Sequence, residues 1–148
     1  MGFLAKKGFT LIEMLTVIGI IAIVSAISFP VYQNMRPNIT LNSTARDLAT
    51  DMRYAQQLAV TEQINYNVIF NTSASSYEIR NSSTNAMVSN KILPSGITFY
   101  SITGLTGNVA KFTATGAAVQ SGTIVLTNRK NKKSTIEIKP SGYVKITN

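Results

Sequence analysis

The chain has 148 residues, 45% hydrophobic and only 14% charged, with 14 Lys and Arg against 6 Asp and Glu for a net charge of +8. That length holds one modest domain plus an anchor, and so little charge points to a segment lying in lipid or in a partner. Cysteine and histidine are both absent, which removes disulfides, thiolate zinc sites, cysteine nucleophiles and the commonest general base and metal ligand, so neither catalysis nor a cofactor is expected.

The first element is apolar. After MGFLAKKG the run FTLIEMLTVIGIIAIVSAISF extends to Pro30. As a helix, residues 9–29 would be about 31 Å long, which matches a hydrocarbon core of about 30 Å. Glu13 is its one ionisable residue. A buried acid costs about 3 kcal/mol on insertion scales, while the Leu, Ile, Phe and Val residues together return about 5, so the segment should insert. Lys6 and Lys7 precede the run, and no charge follows it until Arg36. The positive-inside rule then puts the N-terminus in the cytoplasm and the rest of the chain outside. A secretory signal peptide and a plain anchor with an incidental Glu13 are the competing readings. The run is longer than a signal core, and an isolated intramembrane charge is functional by default.

Gly8-Phe9-Thr10-Leu11-Ile12-Glu13 after two lysines, followed by an Ile/Val/Ala run and Pro30, resembles the leader signal of type IV prepilins and pseudopilins. The resemblance implies a leader of residues 1–8, cut between Gly8 and Phe9 by a prepilin peptidase, and N-methylation of Phe9. It also implies an assembly role for Glu13 with Phe9, a helix kink at Pro30, and residence in the cytoplasmic (inner) membrane. The implied partners are other pilins or pseudopilins in a filament, the peptidase and an inner-membrane assembly platform. A glutamate in lipid and the free Phe9 amine of an adjacent subunit would satisfy one another as helices pack. Pro30 has no amide hydrogen and would loosen the helix.

Arg36-Pro37-Asn38 predicts a second kink or short break. Leu41, Ala45, Leu48, Ala49, Met52, Ala55 and Ala59 then form a helical apolar stripe suited to packing on a sheet. Asn42, Ser43 or Thr44 would cap that helix if it begins afresh. Asp47 and Asp51, beside Arg46 and Arg53, read as a solvated helix face.

After Gln63 the pattern shortens to strands. These are residues 64–70 and 77–80, joined by a turn at 71–73, and then 97–100, 111–113, 122–127, 135–139 and 143–146. Ile136, Ile138, Val144 and Ile146 face one way, with Glu137, Lys139 and Lys145 opposite, as in antiparallel sheets laid over a helix. The Ser/Thr/Asn-rich residues 81–90 are expected to form a mobile loop. The predicted class is α+β: an N-terminal transmembrane helix (9–29), a kinked linker and amphipathic helix (30–63) packed on antiparallel β-sheets, and a β-rich pilin-like domain (64–148).

The second half carries its own resemblance. Ala45-Arg46-Asp47-Leu48-Ala49, Arg53-Tyr54-Ala55-Gln56, Leu93-Pro94-Ser95-Gly96-Ile97, Phe112-Thr113-Ala114-Thr115-Gly116 and Gly142-Tyr143-Val144 are similar, in that order, to GspH/FimT-type domains. This implies a minor pilin or pseudopilin of a type II secretion pseudopilus or a type IV pilus. The acidic calcium site of the major pseudopilin is not expected, because Glu137 is the only acid after Glu78. One alternative remains. Arg129, Lys130, Lys132 and Lys133 cluster between two predicted strands and could contact phosphates. Some FimT-like minor pilins bind DNA in natural transformation, although they carry a glycine-arginine signature where this chain has Gly142-Tyr143-Val144-Lys145. The alternative function is therefore a DNA receptor with those four cations as its contacts.

Overall fold

The computed structural model describes residues 8–147. Most of the leader expected at residues 1–8, with Lys6 and Lys7, falls outside them, as does the side chain of Pro30. The chain divides into two units, Met1–Arg36 and Pro37–Asn148.

Helix α1 spans Leu11–Glu62. The break expected at Arg36-Pro37 is not there: the helical backbone runs through position 30 and through Pro37. A proline deletes a single donor from the ladder, at a cost of about 3 kcal/mol in a helix interior. The buried stripe that follows more than offsets this. Leu41, Ala45, Leu48, Ala49, Met52, Ala55 and Ala59 are all at most 2% exposed, and each large aliphatic side chain contributes roughly 1.5–3 kcal/mol on burial. Because the helix does not start afresh, Ser43 and Thr44 do not cap it. Their hydroxyls donate back to the Thr40 carbonyl, at 3.0 and 2.7 Å.

Among the described residues, eight strands follow in two antiparallel sheets. The first has the order β3-β2-β1-β5, from β1 (Tyr66–Asn71), β2 (Ser76–Asn81), β3 (Met87–Ile92) and β5 (Val109–Phe112). The second has the order β4-β6-β7-β8, from β4 (Ile97–Thr103), β6 (Gly122–Asn128), β7 (Lys133–Ile138) and β8 (Val144–Thr147). Alternation along each central strand sends one face inward. Tyr66, Val68, Phe70, Tyr77 and Ile79 of the first sheet join Ile97, Ile124, Leu126, Ile136, Ile138 and Val144 of the second in one core with the helix stripe. Phe70 and Phe99 meet edge to face across the sheets, with centroids 5.7 Å apart.

Residues 81–90 differ from the expected loop. Asn81 Oδ1 accepts from the backbone N–H groups of Ser83 and Thr84, which closes a turn, and β3 then pairs with β2. Its Ser/Asn-rich sequence shows no alternation because β3 is an edge strand with nearly every side chain exposed.

Candidate functional site: the N-terminal helix and the basic hairpin

Gly8, Phe9 and Thr10 lead into α1, and Thr10 is its N-cap. The Thr10 carbonyl accepts the first helical hydrogen bond, from the Met14 N–H at 3.2 Å. The Thr10 hydroxyl accepts from the Glu13 N–H at 3.3 Å, and a Glu13 carboxylate oxygen accepts from the Thr10 N–H at 3.5 Å. This is a capping box, with two donors at the helix start satisfied reciprocally. Glu13 also sits in the first turn, where the helix dipole favours an anion. Thr10 stands in the leader motif with no role assigned to it, yet Thr-x-x-Glu directly before an apolar run is the signature of its cap.

Behind this cap the helix is apolar on every side. Each large hydrophobic residue of 9–29 is exposed, from Val17 at 47% to Leu11 at 82%. Residues Leu11–Phe29 form a stretch long and apolar enough to cross a membrane. Thr16 hides its hydroxyl by donating to the Ile12 carbonyl at 2.8 Å. A surface of this kind needs cover from lipid or from other helices. At the far end of this unit the Arg36 guanidinium lies 5.7 Å from the ring centroid of Tyr32, a cation–π pair.

In the second unit, Asp51 corrects the reading of a solvated carboxylate face. The Tyr77 hydroxyl donates to it at 2.5 Å and Lys91 Nζ lies 2.8 Å away, so it ties α1 to the first sheet. Tyr77 is only 4% exposed. Its burial, and then its bond to Asp51, hold its hydroxyl well above the ordinary phenol range. Asp47, one turn earlier, stays exposed. Arg53 Nη2 donates to the Val144 carbonyl at 2.8 Å, and Gln56 Nε2 to the Gly116 carbonyl at 2.6 Å. Gly142 packs against that same contact. Its φ is +79°, and a Cβ there would lie 2.0 Å from the Gly116 oxygen. The loosely patterned Arg53, Gln56, Gly116 and Gly142 thus form one joint between the helix and two loops.

The four cations of the basic loop share a hairpin but are not equivalent. Residues 129–132 connect β6 to β7 around Asn128, which is 4% exposed. Asn128 Oδ1 accepts from the N–H groups of Lys130 and Lys132 at 2.9 and 3.0 Å, and its Nδ2 donates to Asn38 Oδ1 at 2.9 Å. Arg129 donates to Ser95 Oγ at 3.0 Å and lies across Gly96. Lys133 Nζ sits 3.5 Å from the ring centroid of Tyr100. Lys130 and Lys132 are exposed at the tip. No cluster of three or more His, Cys, Asp or Glu that could hold a metal occurs among the described residues.

An apolar N-terminal helix running into a stripe buried beneath antiparallel sheets defines a pilin-like α+β protein of the type IV pilin and pseudopilin class. Residues 4–29 match the prokaryotic N-terminal methylation motif, and residues 44–142 match the family described as type II transport protein GspH. The second match covers well over half of the chain, and the chain belongs to the GspH family. Over 29 residues it is 69% identical to prepilin peptidase-dependent protein D of Escherichia coli (strain K12), a match that spans 20% of each protein. Among solved structures, the type IV minor pilin FimU of Pseudomonas aeruginosa shares the fold at TM-score 0.61 and 16% identity, over 77% of this chain and 92% of that one. The minor pseudopilin EpsH from the type 2 secretion system of Vibrio cholerae shares it at TM-score 0.59 and 8% identity, over 72% and 95%. The family and the fold are those of structural filament subunits.

Proposed function

We propose that this chain is a minor subunit of a type II secretion pseudopilus or type IV pilus, with its work done by the N-terminal helix. The leader, residues 1–8, is removed between Gly8 and Phe9, and the new Phe9 amine is methylated. Until assembly the helix lies in the inner membrane with the globular unit outside the cytoplasm. An assembly platform then draws it into a filament beside other pilins. The observation that carries this reading is the apolar stretch Leu11–Phe29, exposed on every side, with a carboxylate in its first turn directly behind Gly8-Phe9. Among the described residues Glu13 accepts one hydrogen bond, from the Thr10 N–H. A carboxylate has several acceptor sites, so one is left for a neighbour's Phe9 amine when helices pack side by side. Apolar contact supplies the remaining cohesion, and the charge pair sets the register.

The alternative of a DNA receptor has less support, since this chain has Gly142-Tyr143-Val144-Lys145 in place of the glycine-arginine signature of DNA-binding FimT-like pilins.

Fractionation tests the proposal. In a bacterium with type IV filament machinery, the chain should appear in the sheared or membrane-detached filament fraction. Deleting the prepilin peptidase gene should hold all of it in the inner membrane as the longer precursor. A chain that reaches the filament fraction equally well without the peptidase contradicts the assignment.

A further inference from the structure

We propose that the tip of the β6–β7 hairpin docks the globular unit on anionic phospholipid headgroups of the leaflet it emerges from. The proposal rests on the reading above that Leu11–Phe29 spans the membrane. Its first support is position. Within the second unit, α1 runs from Pro37 to Glu62, and the Gln56–Gly116–Gly142 joint marks its distal part. Strand β6 starts at Gly122, paired with Ile138 four residues before Gly142, and ends at Asn128, whose side chain grips Asn38. The strand therefore returns toward the end at which the chain enters from the span, and Lys130 and Lys132 lie beyond it.

Tether length makes the position useful. Asn38 follows Phe29 by only nine residues, so the chain itself keeps the base of the hairpin within about 30 Å of the end of the span, even fully extended. Between the two lies Tyr32, an aromatic of the kind enriched at headgroup depth, with Arg36 over its ring.

Charge supplies the chemistry. Arg129, Lys130, Lys132 and Lys133 all belong to the β6–β7 hairpin, and residues 122–136 that build it hold no acid. Such a field attracts an anionic surface without reading any sequence. A membrane suits it better than a nucleic acid: the headgroups are held nearby by the chain's own span, so docking is intramolecular and needs few contacts. DNA must be captured from solution.

The chain has no cysteine, so Thr98→Cys places a unique fluorophore on β4 beside the hairpin, where Thr98 faces solvent opposite Thr127. Ser83→Cys labels the β2–β3 turn, where the adjacent Ser82 N–H donates to the Asn65 carbonyl past the distal end of α1. The full-length chain is reconstituted in vesicles of phosphatidylcholine, or of phosphatidylcholine and phosphatidylglycerol in equal parts, each with headgroup-nitroxide quencher. Each cation at an anionic surface shifts the docked-to-undocked ratio about fivefold, so Lys130 and Lys132 together shift it about 25-fold. Quenching at position 98 should rise accordingly in the anionic vesicles. It should collapse in about 1 M salt, where the Debye length is about 3 Å, and in Lys130→Gln/Lys132→Gln with an unchanged circular dichroism spectrum. The label at 83 should not respond. Equal quenching at 98 in both lipids, or quenching that survives the double substitution, overturns the docking. So does a tip indifferent to lipid charge that binds duplex DNA through the same two lysines. A chain washed out of either vesicle by alkaline carbonate overturns the spanning reading, and the docking with it.

Discussion

Replacing Glu13 with alanine should leave the chain in the membrane fraction and nearly abolish its passage into filaments. Insertion should improve, because the acid costs on the order of 3 kcal/mol in lipid and alanine costs almost nothing. Assembly should suffer, because the Phe9 amine of the adjacent subunit is then buried without a counter-charge. Removing one partner of a buried pair typically costs about 3–5 kcal/mol, which is roughly a hundredfold or more in incorporation. The capping box complicates the variant, since alanine also takes away the acceptor for the Thr10 N–H. Glu13→Gln separates the two effects. Glutamine serves in a capping box as glutamate does but carries no charge. The ratio of filament to membrane protein is the readout. Both variants should lose incorporation; a glutamine variant that assembles at wild-type levels would leave only the capping role.

Gly142→Ala should cost about 3 kcal/mol or more and lower the melting temperature of the globular unit by many degrees. Two penalties combine. An L-residue at φ of +79° pays about 1–2 kcal/mol. The new methyl would also sit 2.0 Å from the Gly116 oxygen and 2.2 Å from Gln56 Nε2, and overpacking of this kind typically adds about 1–3 kcal/mol. Relief would require breaking the Gln56 bond to Gly116 and parting two loops. Gly107→Ala is the matched control, with φ of +63° and nothing within 4 Å of its Cβ position. It should cost only the backbone part, about 1 kcal/mol. Thermal melts of the two variants in one detergent should differ clearly; equal melts would mean that the joint around Gly142 is not packed as described.

These residues show how far a sequence carries the argument. The buried face of α1 was legible in full because its 3.6-residue period places Leu41 to Ala59 on one side, and all seven are buried. Continuity through Pro37 was not, since local propensity argues for a break and only tertiary burial of the stripe outweighs it. Strand β3 was illegible for the opposite reason: an exposed edge strand buries nothing, so its Ser, Asn and Lys follow no alternation. The glycines at 116 and 142 read as punctuation, but their approach to Gln56 joins residues 60 and 86 positions apart, which no local pattern encodes. Asp51 read as solvated because Tyr77 and Lys91 reach it from strands far along the chain. At the N-terminus the residues proposed for processing and pairing, Gly8, Phe9 and Glu13, were readable in order, while Thr10 was overlooked in a visible capping box. The basic loop was found as a cluster; that its members face different neighbours is a property of the hairpin and of Ser95 and Tyr100.

The central claim is that a membrane peptidase converts this chain into a filament subunit with a methylated phenylalanine at its head. Mass spectrometry of the protein extracted from membranes and filaments of a cell with an active prepilin peptidase tests it most directly. Processing at this site should leave a mature chain that lacks residues 1–8, begins at Phe9 and carries one added methyl group on its amine. An intact Met1 terminus, or cleavage near Ser28 as for a secretory signal peptide, would contradict it.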